Sequence, residues 1–208
     1  MVSIPCSATS QFADLVELAN PFQGVDRGGN TVPGAQLPFG FVSLSPDTSH
    51  GSTSGYDSSG LILGFSHTHV SGTGGAGKYG NFRVMAMLGS DAWGNLAFPK
   101  TAEVASPGYY AVTVGRPGKQ IGVELTASRL VGFHKYTFPP DAQARIIIDA
   151  SATIPLGGGG PRASGGEVRV IDQRDIAGRM SFVGGWGRNN PYVLFLRLGS
   201  QQSICFIL

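Results

Sequence analysis

Short runs in which apolar and polar positions alternate recur along the chain, with turn residues between them. Phe39 to Ser45, Leu61 to Phe65, Arg83 to Leu88, Tyr109 to Val114 and Ile121 to Leu125 read as strands. Val131 to Phe138, Ala144 to Asp149, Val168 to Ile171, Ile176 to Val183 and Tyr192 to Leu198 continue the series. Ser45-Pro-Asp-Thr, Arg116-Pro-Gly-Lys and Pro139-Pro-Asp carry the chemistry of turns. Asp26 to Gly34 and Ser49 to Ser59 are polar loops, and Asp91 to Ser106 reads as a connection whose Trp93 and Phe98 cover a core edge. A glycine hinge runs from Gly157 to about Gly166. One helix is expected, from Ser10 as cap to Asn20, with Phe12, Leu15, Val16 and Ala19 on one face and Pro21 ending it. No helical pattern alternates with the strands, which excludes a βαβ architecture. The pattern predicts an all-β, mostly antiparallel β-sandwich over residues 1–208, with one short N-terminal helix. The apolar run Ile204 to Leu208 reads as the end of a truncated or altered piece.

Composition changes this picture little. Charged residues are scarce at 13% and Gly abundant at 32 of 208, but 41% apolar residues argue for a folded, turn-rich protein rather than disorder. The net charge of +2 gives no electrostatic reason to expect nucleic acid. Residues 1–104 carry four Lys/Arg against seven Asp/Glu, and residues 105–208 eleven against six. A mildly acidic first half suits a neutral polyol better than a phosphate. The loop at Gly157 lacks the Gly-Lys-Ser/Thr of a phosphate cradle. No apolar run is long enough for a membrane helix, and Met1 to Ser10 shows no secretion signal. Cys6 and Cys205 lie near opposite ends and read as two unrelated thiols.

The densest candidate chemistry is Gly64 to Gly80, which places His67, Thr68, His69 and Ser71 beside a glycine-rich loop. In an extended chain the two imidazoles share a face with Phe65, and Thr68 points the other way. Imidazole donates, accepts and binds metals. Three readings stay open: a polar surface for a hydroxyl-rich ligand, a loop held by satisfied histidines, or a transition-metal pair completed by Asp47 or His50. A serine hydrolase relay is disfavoured, because Gly-x-Ser-x-Gly is absent. Tyr56 and Trp186, each in a small-residue loop, are candidate sugar platforms or packing residues. Asp26, Asp47 and Asp57 are the loop carboxylates, with turn capping a sufficient explanation for Asp47.

The order Asn20-Pro-Phe, Gly29-Asn-Thr-Val-Pro-Gly-Ala, Pro38-Phe-Gly, Ser45-Pro-Asp-Thr, Gly55-Tyr and Gly64-Phe-Ser-His-Thr-His-Val-Ser-Gly-Thr-Gly resembles the N-terminal domain of family 92 glycoside hydrolases, the calcium-dependent exo-α-mannosidases. Pro107-Gly-Tyr-Tyr, Val123-Glu-Leu-Thr-Ala-Ser and Phe133-His-Lys-Tyr-Thr-Phe-Pro also resemble that family. The resemblance implies a supersandwich fold and a full enzyme that releases terminal α-linked mannose with inversion, using Ca2+. It places the acid, the base and most calcium ligands in a following helical (α/α)-barrel domain outside this chain, so no catalytic residue, metal site or cofactor is expected here. The implied partners are that C-terminal catalytic domain and an α-mannoside glycan, with no nucleic acid or membrane. The implied location is extracellular or periplasmic. His67, Thr68, His69, Ser71, Asp47, Tyr56 and Trp186 are the expected pocket or interface residues. The alternative is a free-standing carbohydrate-binding or structural β-sandwich.

Overall fold

The computed structural model describes residues 16–26, 28–50, 52–89, 91, 96–154, 160–201 and 206–207. Thirteen strands are assigned among them: β1 Ala35–Gln36, β2 Ser43–Thr48, β3 Ile62–Ser66, β4 Arg83–Leu88, β5 Lys100–Ser106, β6 Tyr109–Val114, β7 Ile121–Ala127, β8 Gly132–Thr137, β9 Ala144–Asp149, β10 Arg162–Val170, β11 Asp175–Val183, β12 Tyr192–Gly199 and β13 Phe206–Ile207. They form a six-stranded sheet ordered β1-β2-β3-β4-β9-β13, a four-stranded meander β5-β6-β7-β8 and a three-stranded meander β10-β11-β12. All the pairings are antiparallel except β13, which runs parallel to β9.

Burial explains the layering. In β6 and β7 the buried residues alternate: Tyr110, Val112 and Val114, then Ile121, Val123, Leu125 and Ala127. One face of this meander is therefore apolar. In β4 and β9 burial runs consecutively through Val84 to Leu88 and Ile146 to Ile148, so both faces are covered. All these side chains belong to one core cluster, to which the three-stranded sheet adds buried Ile176 with Val168, Leu196 and Leu198 packed against it.

The all-β prediction holds, and its departures have physical causes. Ser45-Pro-Asp-Thr is not a turn but the last four residues of β2, where every residue is buried. Its proline is tolerated because β1 extends only to a pairing with Leu44, leaving Pro46 to face β3 alone. Residues 100–106, expected within a connection, are strand β5, and residues 162–166 of the expected hinge belong to β10. Phe98 packs against the core as expected and makes an isolated bridge to Ile62. The expected helix at Ser10 to Asn20 falls largely outside the described residues, as do Trp93, Cys6 and Cys205.

Candidate functional site

The strand β3 ends at Ser66, and the histidine stretch leaves the sheet there. Its neck is closed by four hydrogen bonds. The His67 amide donates to the Asn81 carbonyl at 3.1 Å, and the Gly80 amide donates to the Thr68 carbonyl at 2.8 Å. Thr68 Oγ1 donates to Asn81 Oδ1 and accepts from the Asn81 amide, both at 2.9 Å. The loop beyond is fitted rather than loose. A Cβ at Gly77 would lie 2.3 Å from the Ile154 carbonyl oxygen, and one at Gly80 2.8 Å from the Ile154 amide nitrogen, so glycine lets the loop pack on that backbone.

Three polar loops meet at the tip. The Gly72 amide donates to the Asn30 carbonyl at 2.6 Å, and the Val32 amide reaches Ser71 Oγ at 3.4 Å. Thr53 Oγ1 bonds Asn30 Oδ1 at 2.9 Å and the Thr73 carbonyl at 2.7 Å. Ser71, Gly72, Gly74 and Gly75 are exposed on this surface.

The two imidazoles do not act as a pair. His69 turns inward to Asp47, which is 2% exposed. Asp47 Oδ1 accepts from His69 Nε2 at 2.8 Å and from Ser66 Oγ at 3.0 Å, and Oδ2 accepts from Arg83 Nε at 2.7 Å. The other nitrogen of His69 donates to the Ser43 carbonyl at 2.8 Å. Burial alone would raise the Asp47 carboxyl, but the Arg83 guanidinium and then His69 outweigh it and hold it below the usual carboxylate range. Gly64 makes the arrangement possible. A Cβ there would lie 2.6 Å from Arg83 Cγ, so the missing side chain lets the arginine stem cross β3 to reach β2.

His67 joins a second chain of bonds. His67 Nδ1 faces the Phe82 carbonyl at 2.8 Å, and its Nε2 lies 3.1 Å from His134 Nε2 on β8. His134 Nδ1 lies 2.9 Å from the Tyr136 hydroxyl. A carbonyl accepts only, so His67 carries its hydrogen on Nδ1. His134 then donates from Nε2, and Tyr136 donates to His134 Nδ1. Every group is satisfied with both rings neutral. Burial lowers the affinity of both imidazoles for a proton, His134 more strongly because His67 adds repulsion, whereas the Phe82 carbonyl partly offsets the effect at His67. Gly132 clears the space, since a Cβ there would lie 2.8 Å from His67 Cδ2.

Tyr56 takes the packing reading rather than that of a sugar platform, because its ring is fully buried. Its hydroxyl donates to Glu103 Oε1 at 2.8 Å and accepts from Lys100 Nζ at 2.7 Å. Tyr110 donates to the same Glu103 oxygen at 2.6 Å, and Lys100 completes the cluster on Oε2 at 2.8 Å. A bulge between Thr101 and Val104, with Ala102 at φ +50°, places Glu103 within this cluster. Burial first, and Glu103 second, push both phenols above their usual range.

Trp186 stands against the far end of the same glycine-rich stretch, beside Lys78 and Tyr79. It is 59% exposed and meets Tyr79 edge-on at 6.2 Å, with Lys78 Nζ 5.9 Å from its ring. Asp47, His69 and Ser66 thus share one buried network, His67 and Thr68 join neighbouring ones, Ser71 is exposed at the loop tip, Trp186 packs on Tyr79 where the stretch ends, and Tyr56 stands apart.

The geometry excludes two chemistries considered from sequence. Ser66 Oγ and Asp47 Oδ1 both approach the same nitrogen of His69, at 3.2 and 2.8 Å, whereas a Ser-His-Asp relay needs them on opposite nitrogens. His67 and His69 diverge to separate partners, so they cannot ligate one ion. Among the described residues no three of His, Cys, Asp and Glu come together as a metal site. Asp57 and Asp26 use their oxygens on Ser59 and Ser58.

Sequence reasoning passed over Arg83, Glu103, Lys100 and His134 as site residues. His134 was within reach of it, since it alternates with Tyr136 on one face of β8, with Phe138 just beyond the strand. The other three required the β2–β3–β4 register and the β5 bulge.

A family model described as the glycosyl hydrolase family 92 N-terminal domain matches residues 18–204. The chain is similar to a family 92 α-mannosidase of Bacteroides thetaiotaomicron, with TM-score 0.75 and 31% identity over 88% of this chain and 25% of that one. The same enzyme in complex with mannoimidazole matches with TM-score 0.74 and 30% identity over the same shares. An uncharacterized secreted glycosidase of Arthroderma benhamiae is 29% identical over 138 residues, covering 61% of this chain and 18% of that protein. The chain therefore spans about a quarter of the length of the solved structures it matches and less of the fungal relative. Among the described residues no helix is long and apolar enough to cross a membrane.

Proposed function

The chain belongs to the glycosyl hydrolase family 92 N-terminal domain family, and on that premise we propose that it is the β-domain of an exo-α-mannosidase acting on terminal α-linked mannose with inversion. The observation that carries this reading is the likeness to the Bacteroides α-mannosidase, at 31% identity and TM-score 0.75 over 88% of the chain. The domain contributes the loop tip around Ser71, Gly72 and Asn30 to the sugar pocket. His67, Thr68, His69 and Asp47 hold that loop from behind rather than touching the sugar. Trp186, with its exposed ring, is a further platform for a glycan. The acid, the base and most of the calcium ligands come from polypeptide corresponding to the three-quarters of the solved relatives that this chain does not cover. Inversion needs two carboxyl groups about 6.5–9.5 Å apart on either side of the bond. The loop tip described here offers backbone and hydroxyl groups instead. The secreted fungal relative supports an extracellular or periplasmic location.

The test is mannose release from an α-mannoside. The 208-residue chain alone should show none. The same chain in place of the matched quarter of the Bacteroides enzyme should restore it. Steady turnover by the chain alone would refute the division of labour.

A further inference from the structure

The segment Leu37 to Gly40 is a tight turn, with the Gly40 amide donating to the Leu37 carbonyl at 3.0 Å. Pro38 occupies its second position and Phe39 its third, at φ +59°. A positive φ at the third position is the mark of a type II turn and belongs to Gly or Asn, because a side chain there is strained. Phe39 is 97% exposed, so burial within this chain does not offset the strain. Next to it, the Phe41 and Val42 amides both donate to the Arg129 carbonyl, at 2.8 and 3.3 Å, which joins the turn to the loop before β8. That loop presents Leu130, 76% exposed, and Val131, and the turn side adds Phe41, 62% exposed, and Leu37. Large apolar side chains grouped on two hydrogen-bonded loops are unusual on a surface that faces only water. Arg129 is exposed among them, and none of the ion pairs found among the described residues involves it. Behind the patch, the His67 ring lies against Gly132, where a Cβ would collide with it.

We propose that the Leu37–Phe41 turn and the Arg129–Val131 loop form a docking surface for the polypeptide that corresponds to the three-quarters of the solved relatives outside the matched quarter. The relatives' length is the reason for this occupant: the shared fold accounts for 88% of this chain but only 25% of theirs. The docking face is apolar and carries a carboxylate for Arg129. Phe39 is the anchor, and its strained backbone aims the ring outward. The inference rests on the functional reading above for its choice of partner.

The experiment is hydroxyl-radical footprinting of the 208-residue chain and of a chimera in which residues 18–204 replace the matched quarter of the Bacteroides α-mannosidase. Phe39, Phe41 and Leu130 should be modified at least tenfold more slowly in the chimera. Phe195, 76% exposed on β12, serves as a reference outside the patch, against which its rates are normalised. Phe39→Gly should raise the melting temperature of the isolated chain by removing strain, yet in the chimera restore fast modification of Phe41 and Leu130. Equal rates in chain and chimera would overturn the proposal. So would protection in the isolated chain that grows with its concentration, since a second copy would then be the occupant. Should the chimera fail to fold, the same footprint is read on the intact Bacteroides enzyme and its isolated N-terminal quarter, at the residues superposing on Phe39, Phe41 and Leu130. Mannoside hydrolysis on the same samples separates the two claims. Activity with an unprotected patch sinks the docking surface alone, and protection without activity sinks the mannosidase reading alone.

Discussion

Removing the Asp47 carboxylate should be the most damaging single change near the histidine loop. Asp47→Ala deletes the acceptor for Arg83 Nε at 2.7 Å, His69 Nε2 at 2.8 Å and Ser66 Oγ at 3.0 Å. Arg83 is then left with the Thr153 carbonyl at 3.2 Å as its remaining partner. Its side chain is 14% exposed, so water cannot replace the lost charge freely. Breaking a buried pair by removing one partner costs about 3–5 kcal/mol, mainly for the charge left behind. For a domain of this size each kcal/mol moves Tm by about 2–4 °C, so the drop should be roughly 6–20 °C. Urea denaturation followed by circular dichroism reads the change, and the double variant Asp47→Leu/Arg83→Met tests its cause. If the cost is the orphaned guanidinium, the double variant should be milder than Asp47→Leu alone. A loss below about 1 kcal/mol for Asp47→Ala, or a double variant as damaged as the sum of its singles, would refute the reasoning.

Tyr56→Phe should cost about 1–2 kcal/mol, because one hydroxyl bridges Glu103 and Lys100, and denaturant melts would show it. Acid should weaken the fold in two stages. His67 and His134 have lowered affinity for protons in the fold, so their contribution is intact above about pH 6.5 and is lost as pH falls below that value through their folded-state values. Asp47 adds a second loss as pH falls below about 4. Stability measured from pH 8 to 3 should show both, and His134→Phe should flatten the first; an unchanged first slope would contradict the assigned neutral pair. Trp186→Ala should change stability by no more than about 1 kcal/mol, the scale of one aromatic pair. If the ring carries a glycan, the same variant in the assembled enzyme should raise KM with Tm unchanged.

The fold class was legible because alternation in β6, β7 and β8 directly mirrors a meander with one apolar face. β2 was only partly so: the expected strand Phe39 to Ser45 reaches its first three residues, whereas Ser-Pro-Asp-Thr has turn chemistry and is a strand only through its pairing with β3 and the burial of both faces. β5 was hidden for a similar reason: it is interrupted by a bulge that breaks its period. The histidine stretch was found as the centre of the polar architecture, but its orientation was not. Extended geometry ends at Ser66, and beyond it His67 and His69 follow hydrogen-bond partners on β8 and β2 that local pattern does not encode. For Tyr56 the local pattern leaves a sugar platform and a packing residue both open. Its partner Glu103 lies 47 positions away and reaches it through a bulge with Ala102 at positive φ.

The proposed role, completing a mannosidase without replacing it, can be tested outright. The most direct measurement follows the anomer of mannose released from an α-mannoside by proton NMR, comparing the 208-residue chain with the chimera carrying it in the Bacteroides enzyme. The chain alone should release no mannose, and the chimera should release β-mannose as its first product. Mannose release by the chain alone, or a folded chimera with the patch protected and no release, would contradict it.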